Sequence, residues 1–182
     1  MGWRLGTLHS GHRQRIREIL DATGVFRGEE IDVAIELFDE TFAGYEARAP
    51  FDAGDGVADY EFVGSFSDNG QLAGYVCYGA TPGTDRTYDL YWIAMHPSAQ
   101  GSGGGTRLVD EVERRLRERD ARLVVVETSS RDDYAPTRRF YHARGYAQAA
   151  RLMDFYAPGD HRVIFTKRLS APHHDPRGVG SQ

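Results

Sequence analysis

The run Gln100-Gly101-Ser102-Gly103-Gly104-Gly105 constrains this chain more than any other feature. It follows a strand-like aromatic stretch, Tyr88 to Met95, and leads directly into an amphipathic helix pattern. Four glycines in six positions let the backbone turn tightly and bring its N–H groups against an anion. The positive end of the following helix dipole adds to that attraction. Strand, glycine loop and helix in this order therefore predict a phosphate cradle. Two familiar cradles are excluded, because no Gly-Lys-Ser/Thr follows and no acidic ribose reader stands at the distance a dinucleotide fold requires. Taken alone, the loop also fits a plain flexible connection.

The flanking patterns say what the loop is set in. A helix over 103–119 places Leu108, Val112 and Leu116 on one face, with Glu111/Arg115 and Glu113/Arg117 as i,i+4 pairs on the exposed side. Arg122 to Thr128 contains Leu-Val-Val-Val, a strand buried on both faces, so the unit is a right-handed parallel crossover. Upstream, Tyr60–Phe66 and Gln71–Tyr78 form a hairpin whose Asn69-Gly70 pair supplies positive φ angles, and the strand Thr87–Met95 stops at His96-Pro97. Trp3–Leu8 reads as a first strand. Ser10 caps a helix ending near Gly24, and Ile31, Ile35, Phe38 and Phe42 mark a second helix stopped at Gly44. Tyr45 to Asp59 reads as a loop. Pro136 opens a short helix that reaches Arg144 and ends at Gly145, and strands follow near 147–156 and 162–169.

At 182 residues the chain makes one domain, 1–169, followed by a Pro/Gly/Ser-rich tail, 170–182, expected to be disordered. Its His173-His174 pair reads as solvated, with no metal site. A composition of 40% hydrophobic and 27% charged residues fits a soluble globular protein, and a net charge of -5 argues against nucleic-acid partners. Cys77 is the single cysteine, so no intrachain disulfide or CxxC metal site exists and a cytoplasmic location is the default. No apolar run reaches membrane-spanning length, and Met1–Leu8 lacks the features of a signal peptide. Lys167 is the only lysine among many arginines.

The spacing Gln-x-x-Gly-x-Gly resembles the acetyl-CoA pyrophosphate loop of the GNAT superfamily of N-acetyltransferases. A second motif, Phe140-Tyr141-His142-Ala143-Arg144-Gly145-Tyr146, is similar to the aromatic-Tyr-x-x-x-Gly-aromatic run of the same superfamily. The order β, α, α, β, β, β, α, β, α, β, β is also that of the family and spans Met1 to Leu169. The resemblance implies an α/β (α+β) GNAT fold: a central mixed, mostly antiparallel sheet, splayed between Thr87–Met95 and Arg122–Thr128 and flanked by helices. Two positions depart from the pattern. Tyr134 stands where many relatives carry asparagine, and Ser102 where many carry a basic residue, a charge that Arg107 either restores or, as a solvated helix residue, does not.

What the resemblance implies for chemistry is acyl transfer from acetyl-CoA, or another acyl-CoA, to an amine, with no metal. Backbone groups of Ile93, Ala94 and Met95 would pair with pantetheine and face the thioester oxygen. Gln100, Gly101, Ser102, Gly103, Gly104, Gly105 and Thr106 would hold pyrophosphate. Arg138 and Arg139 reach the 3′-phosphate or lie in solvent. Tyr141 would be the proton donor to the departing thiolate, or else a buried tyrosine bonded to a neighbour. Asp89 and Glu127 compete as base, each with the alternatives of strand-end polarity, ammonium anchoring or pairing with an arginine. Phe26, Tyr91, Asp154 and Tyr156 would meet the acceptor, a small primary amine such as an amino acid or natural-product intermediate, although the loop from Asp154 also fits an ordered turn. A protein acceptor would need an open groove between the first helices and the last hairpin. A carrier-protein donor, a non-catalytic coenzyme-binding module, and a homodimer through the last strands complete the expectations.

Overall fold

The computed structural model describes residues 2–47 and 60–169. Seven strands form one sheet in the order β1-β2-β3-β4-β5-β7-β6, where β1 is Arg4–Gly6, β2 Glu61–Phe66, β3 Leu72–Ala80, β4 Thr87–Met95, β5 Leu123–Ser129, β6 Ala147–Ala157 and β7 Asp160–Arg168. All neighbours are antiparallel except β4 and β5. The helices are α1 (Arg13–Thr23), α2 (Gly28–Ala47), α3 (Gly104–Glu118) and α4 (Ala135–Ala143).

Strand alternation builds the core, stepped once by a bulge at Ala73, since Ser65 pairs with Gly74 and Phe66 with Leu72. On β3, Ala73, Val76 and Tyr78 pack with Leu108, Val112 and Leu116 of α3, while Leu72, Tyr75 and Cys77 pack with Ile16, Ile19 and Leu20 of α1 and Ile35 and Phe38 of α2. The sheet thus carries α1 and α2 on one face and α3 and α4 on the other, which explains why β3 is buried along nearly its whole length.

The feature that positions the site is a loss of pairing between β4 and β5. Their register runs from Thr87↔Leu123 to Leu90↔Val126 and stops there. Beyond it β4 stays with β3 through Met95, and β5 stays with β7 through Ser129. The register between β3 and β4 shifts at this level, pairing Cys77 with Trp92 and Tyr78 with Leu90, so Tyr91 is an extra, bulged residue on β4. A bulge bends its strand and increases local twist, which turns the end of β4 away from β5.

Several expectations are corrected. His9, not Ser10, caps the first helical segment: its ring accepts the Gly11 N–H, and His12 answers the His9 N–H. α2 continues through Gly44 to Ala47, because its buried face outweighs the roughly 1 kcal/mol that an interior glycine costs. Tyr45–Ala47 are therefore helical, and the rest of the expected loop lies outside the described residues, as does the tail. In the β2–β3 turn only Gly70 has positive φ (79°), so the Ser67–Gln71 loop closes through a single left-handed residue. Glu113 is not on the solvent side of α3. It is buried, with Lys167 Nζ at 2.7 and 2.8 Å and Arg117 at 2.8 Å.

Candidate active site

Two clefts meet where β4 and β5 part. The larger, about 690 Å³, runs along the free edge of β4 past Ile93, Ala94 and Met95 to the glycine loop and α4. The smaller, about 530 Å³, lies between the α1–α2 connector, β5 and the β6–β7 hairpin. Phe26, Tyr91, Trp92, Glu127 and Tyr134 line both, so the clefts share a wall at the splay.

The glycine loop divides into two kinds of position. Gly101 and Gly103 have φ of 71° and 88°, a conformation that side chains other than glycine's adopt at a cost, and a Cβ on either would meet open space. Gly103 caps α3 with no side-chain bond, and the first turn of the helix contains no acidic residue, leaving its N–H groups for an anion. Gln100, Gly105 and Thr106 also line the larger cleft. Gly104 does not. It is buried, and a Cβ there would stand 2.6 Å from Met95 Cε, so this glycine serves close packing. Ser102 turns away as well: its hydroxyl donates to the Ala99 carbonyl, and its own carbonyl accepts the Trp3 indole N–H at 2.9 Å. Gln100 braces the loop by donating to the Met95 carbonyl at 3.1 Å.

The arginines expected near phosphate are otherwise employed. Arg107 donates to the Trp3 carbonyl, tying α3 to the N-terminal segment. Arg138 donates to the carbonyls of Ser129 and Arg131 at 2.7 and 2.9 Å and so fixes the connection from β5 to α4. Arg139 is exposed and lines neither cleft.

Tyr141 is 1% exposed yet lines the larger cleft together with Met95, Gly105 and Thr137. Tyr146 and Phe165 pack on its ring at 5.3 and 6.1 Å. Burial alone pushes its phenol far above the ordinary tyrosine value, and no neighbouring hydrogen bond contributes.

The two carboxylates are not equivalent. Asp89 lies where β4 and β5 are still paired, accepts the Thr81 hydroxyl at 2.7 Å, and lines only the smaller cleft. Glu127 follows the last paired residue, Val126, and lines both clefts. Its carboxylate is held by Arg162 and remains 37% exposed, so the pairing with an arginine left open by the sequence is the arrangement present.

Of the expected acceptor residues, Phe26 and Tyr91 line both clefts and Tyr156 the smaller one. Tyr91 is pushed up to about 12, first by burial and then by the Asp89 charge. Asp154 lines neither cleft. At φ 51° it organises the β6–β7 turn, accepting the Gly159 N–H at 2.8 Å and donating its own N–H to His161 Nδ1 at 2.8 Å. Tyr134, the position departing from the family pattern, stands edge-on to Phe26 at 6.3 Å and carries the Arg131 guanidinium over its ring at 5.2 Å.

The sequence reading missed Trp92, Arg27, Arg131, Asp160 and Arg162. No local motif marks them, because each reaches the site through a tertiary contact. Asp160 is 6% exposed; it accepts the Ser129 hydroxyl at 2.5 Å and the Arg27 guanidinium at 3.2 Å. Arg131 also donates to the Val25 carbonyl at 2.7 Å. The α1–α2 connector is thereby fastened on both sides of Phe26.

The family model for the acetyltransferase (GNAT) family matches residues 30–146. The chain belongs to this family. A GNAT-family protein from Desulfovibrio desulfuricans is 40% identical, aligned over 93% of this chain and 99% of that one with a TM-score of 0.77. Two more distant structures share the fold. The ribosomal-protein-S18-alanine N-acetyltransferase of Escherichia coli is 15% identical with a TM-score of 0.70, covering 96% of this chain and 98% of that one. The PaiA N-acetyltransferase of Thermoplasma acidophilum, in complex with coenzyme A, is 14% identical with a TM-score of 0.67, covering 92% and 99%. No curated protein matches by sequence. In this GNAT acetyltransferase, the splay, the open glycine loop and Tyr141 stand on one continuous surface. Among the described residues, no helix is long and apolar enough to cross a membrane, and no cluster of His, Cys, Asp and Glu could hold a metal ion.

Proposed function

We propose that this acetyltransferase moves the acetyl group of acetyl-CoA directly to the primary amine of a small molecule within a ternary complex. The observation that carries the choice of a small acceptor is the Arg27–Asp160 pair, which joins the α1–α2 connector to the start of β7 at 3.2 Å. An extended polypeptide would have to pass between these segments. A lining of about 530 Å³ is of the size that encloses small ligands. The E. coli neighbour acts on a ribosomal-protein alanine, but at 15% identity it lends only its fold.

The residues fit the donor. Positive-φ glycines facing open space and a helix N-terminus without acidic neighbours suit pyrophosphate, and the unpaired edge of β4 at Ile93–Met95 offers backbone groups to pantetheine and the thioester oxygen. The amine nitrogen bonds to the thioester carbon, the C–S bond breaks, and the nitrogen loses its proton. Glu127, at the shared wall, is better placed than Asp89 to receive that proton, directly or through water. The buried Tyr141 phenol stays protonated at working pH and always has a hydrogen to offer. A thiol, with a pKa of about 8.5, lies well below it, so Tyr141 mainly stabilises developing charge on the departing sulfur by hydrogen bonding. The unpaired edge of β6 would carry the homodimer the resemblance implies.

Calorimetric titration with acetyl-CoA, followed by thiol-release screening of small amines against peptides with free N-termini, tests this reading. Micromolar binding and turnover of amines support it. Turnover of peptides alone would replace the small acceptor by a protein, and absence of acetyl-CoA binding would favour a carrier-protein donor or a module without activity.

A further inference from the structure

The smaller cleft is walled by Phe26, Tyr91, Trp92, Tyr134 and Tyr156. Its charged lining is unbalanced. Glu29, Glu30, Asp89, Glu127 and Asp160 stand against Arg27, Arg131 and Arg162, so five carboxylates and three guanidiniums leave two negative charges in surplus. Each guanidinium already has an internal carboxylate. Arg27 meets Asp160 at 3.2 Å, Arg131 meets Asp133 at 3.1 Å, and Arg162 is held by Glu127 and lies over the Phe155 ring at 4.8 Å. The Arg162 Nε–H lacks a partner but is enclosed by protein, beyond the reach of a ligand. Arg27, half exposed, is the cation nearest to being available, and the buried Asp160 matches it. On the other side of the account, Glu29 is exposed and has no ion-pair partner among the described residues. The field of Glu30 reaches across the cleft, where it helps burial to push the phenols of Tyr134 and Tyr156 upward.

Resting on the acetyltransferase reading above, we propose that the acceptor is an amine with an aromatic or apolar body and no carboxylate. Aromatic faces attract a flat apolar body and, through the ring quadrupole, a cation. Asp89, Glu29 and Glu30, which have no ion-pair partner among the described residues, draw an ammonium into the cleft, and Glu127 marks the splay, where it must arrive to lose a proton and attack. A carboxylate on the same molecule would enter a lining already in negative surplus, whose guanidiniums are matched. Amino acids are therefore poor acceptors, and their decarboxylated counterparts good ones.

The test uses acetyl-CoA and matched pairs: tyramine against tyrosine, phenethylamine against phenylalanine, tryptamine against tryptophan, with cadaverine against lysine for a body lacking a ring. Thiol release gives kcat/KM for each. The amine is expected to exceed its amino acid by at least about tenfold. Amino acids used as well as the amines would overturn the proposal. So would a protein that binds acetyl-CoA yet turns over no member of the panel, an outcome that leaves the donor site standing. Absence of acetyl-CoA binding would instead remove the acetyltransferase reading and this inference with it. Asp160→Asn provides a second arm, since it unmatches Arg27 while keeping a hydrogen-bonding group beside Ser129. The preference for amine over amino acid should fall at least threefold, and an unchanged ratio would refute the charge argument. If that variant fails to fold, Glu29→Gln on the surface of α2 tests the same surplus, with a fall of about twofold.

Discussion

Gly103 separates the electrostatics of the donor site from its backbone geometry. At φ 88° any side chain is strained, and a Cβ there meets no atom within 4 Å, so substitution adds strain without a clash. Gly103→Ala should cost about 1–2 kcal/mol of stability, the penalty for a left-handed non-glycine residue, and lower Tm by about 2–8 °C in a domain of this size. Because Gly103 lines the cleft assigned to pyrophosphate, the alanine variant also sets the steric reference for coenzyme binding. Gly103→Glu bears the same strain and adds a negative charge at the cap of α3. At a separation of about 6 Å and an effective dielectric of about 40, each phosphate charge is repelled by ~1.4 kcal/mol, so two charges weaken binding roughly 100-fold relative to the alanine variant. Gly103→Lys carries the opposite sign and should bind more tightly than alanine does. Calorimetry of the three variants at two salt concentrations reads the effect, which should shrink as salt rises. Equal affinities for the alanine and glutamate variants would refute an anion cradle at this loop.

Other perturbations follow from the same geometry. Tyr141→Phe should lower kcat by about 10- to 100-fold with acetyl-CoA affinity within about twofold, a loss of ~1.4–2.7 kcal/mol confined to the transition state; unchanged turnover in steady-state assays would remove the donor role. Lys167→Met leaves Glu113 buried without its main partner and should destabilise by about 3–5 kcal/mol in denaturant melts, whereas adding Glu113→Leu should restore much of the loss. Arg114 and then Arg115 hold the Glu111 carboxyl down to about 2. A group depressed in the folded state contributes stability above its unfolded pKa and loses it as pH falls through the folded value. The Tm gap between wild type and Glu111→Gln should therefore be full at neutral pH and close between about pH 4.5 and 2. Phe26→Ala should raise KM for the amine more than it lowers kcat, because it removes the wall both clefts share without touching the bulged strand.

Where the chain's local pattern decides structure, the sequence was legible. The Thr87–Met95 strand, the α3 stripe and the apolar run of β5 fall within a residue or two of where the pattern puts them, because strand and helix periods are written in consecutive side chains. The same holds for the glycine loop and Tyr141, each of which sits on the element it was assigned to. What escaped were pairings made across the fold. Glu113 looked like the exposed half of an i,i+4 pair because the distance to Lys167, 54 positions later, is invisible in a helical wheel. Asp160 stands beside the turn that joins the last two strands, and only the approach of Arg27, 133 positions earlier, gives it a place in the site. His9 escaped because its ring nitrogen does the work that serine was expected to do.

The pairing of Lys167 with the buried Glu113 has a consequence for an enzyme that handles activated acetyl groups. As the only lysine of the chain, its ammonium is clamped between the Glu113 oxygens at 2.7 and 2.8 Å and lies over the Tyr146 ring at 5.3 Å. That nitrogen is engaged by both carboxylate oxygens, and every other long cationic side chain is a guanidinium, which keeps its proton at any working pH. The folded protein thus presents no free side-chain amine of its own to the acetyl donor, and is protected from autoacetylation on lysine by the same ion pair that seats α3 on β7.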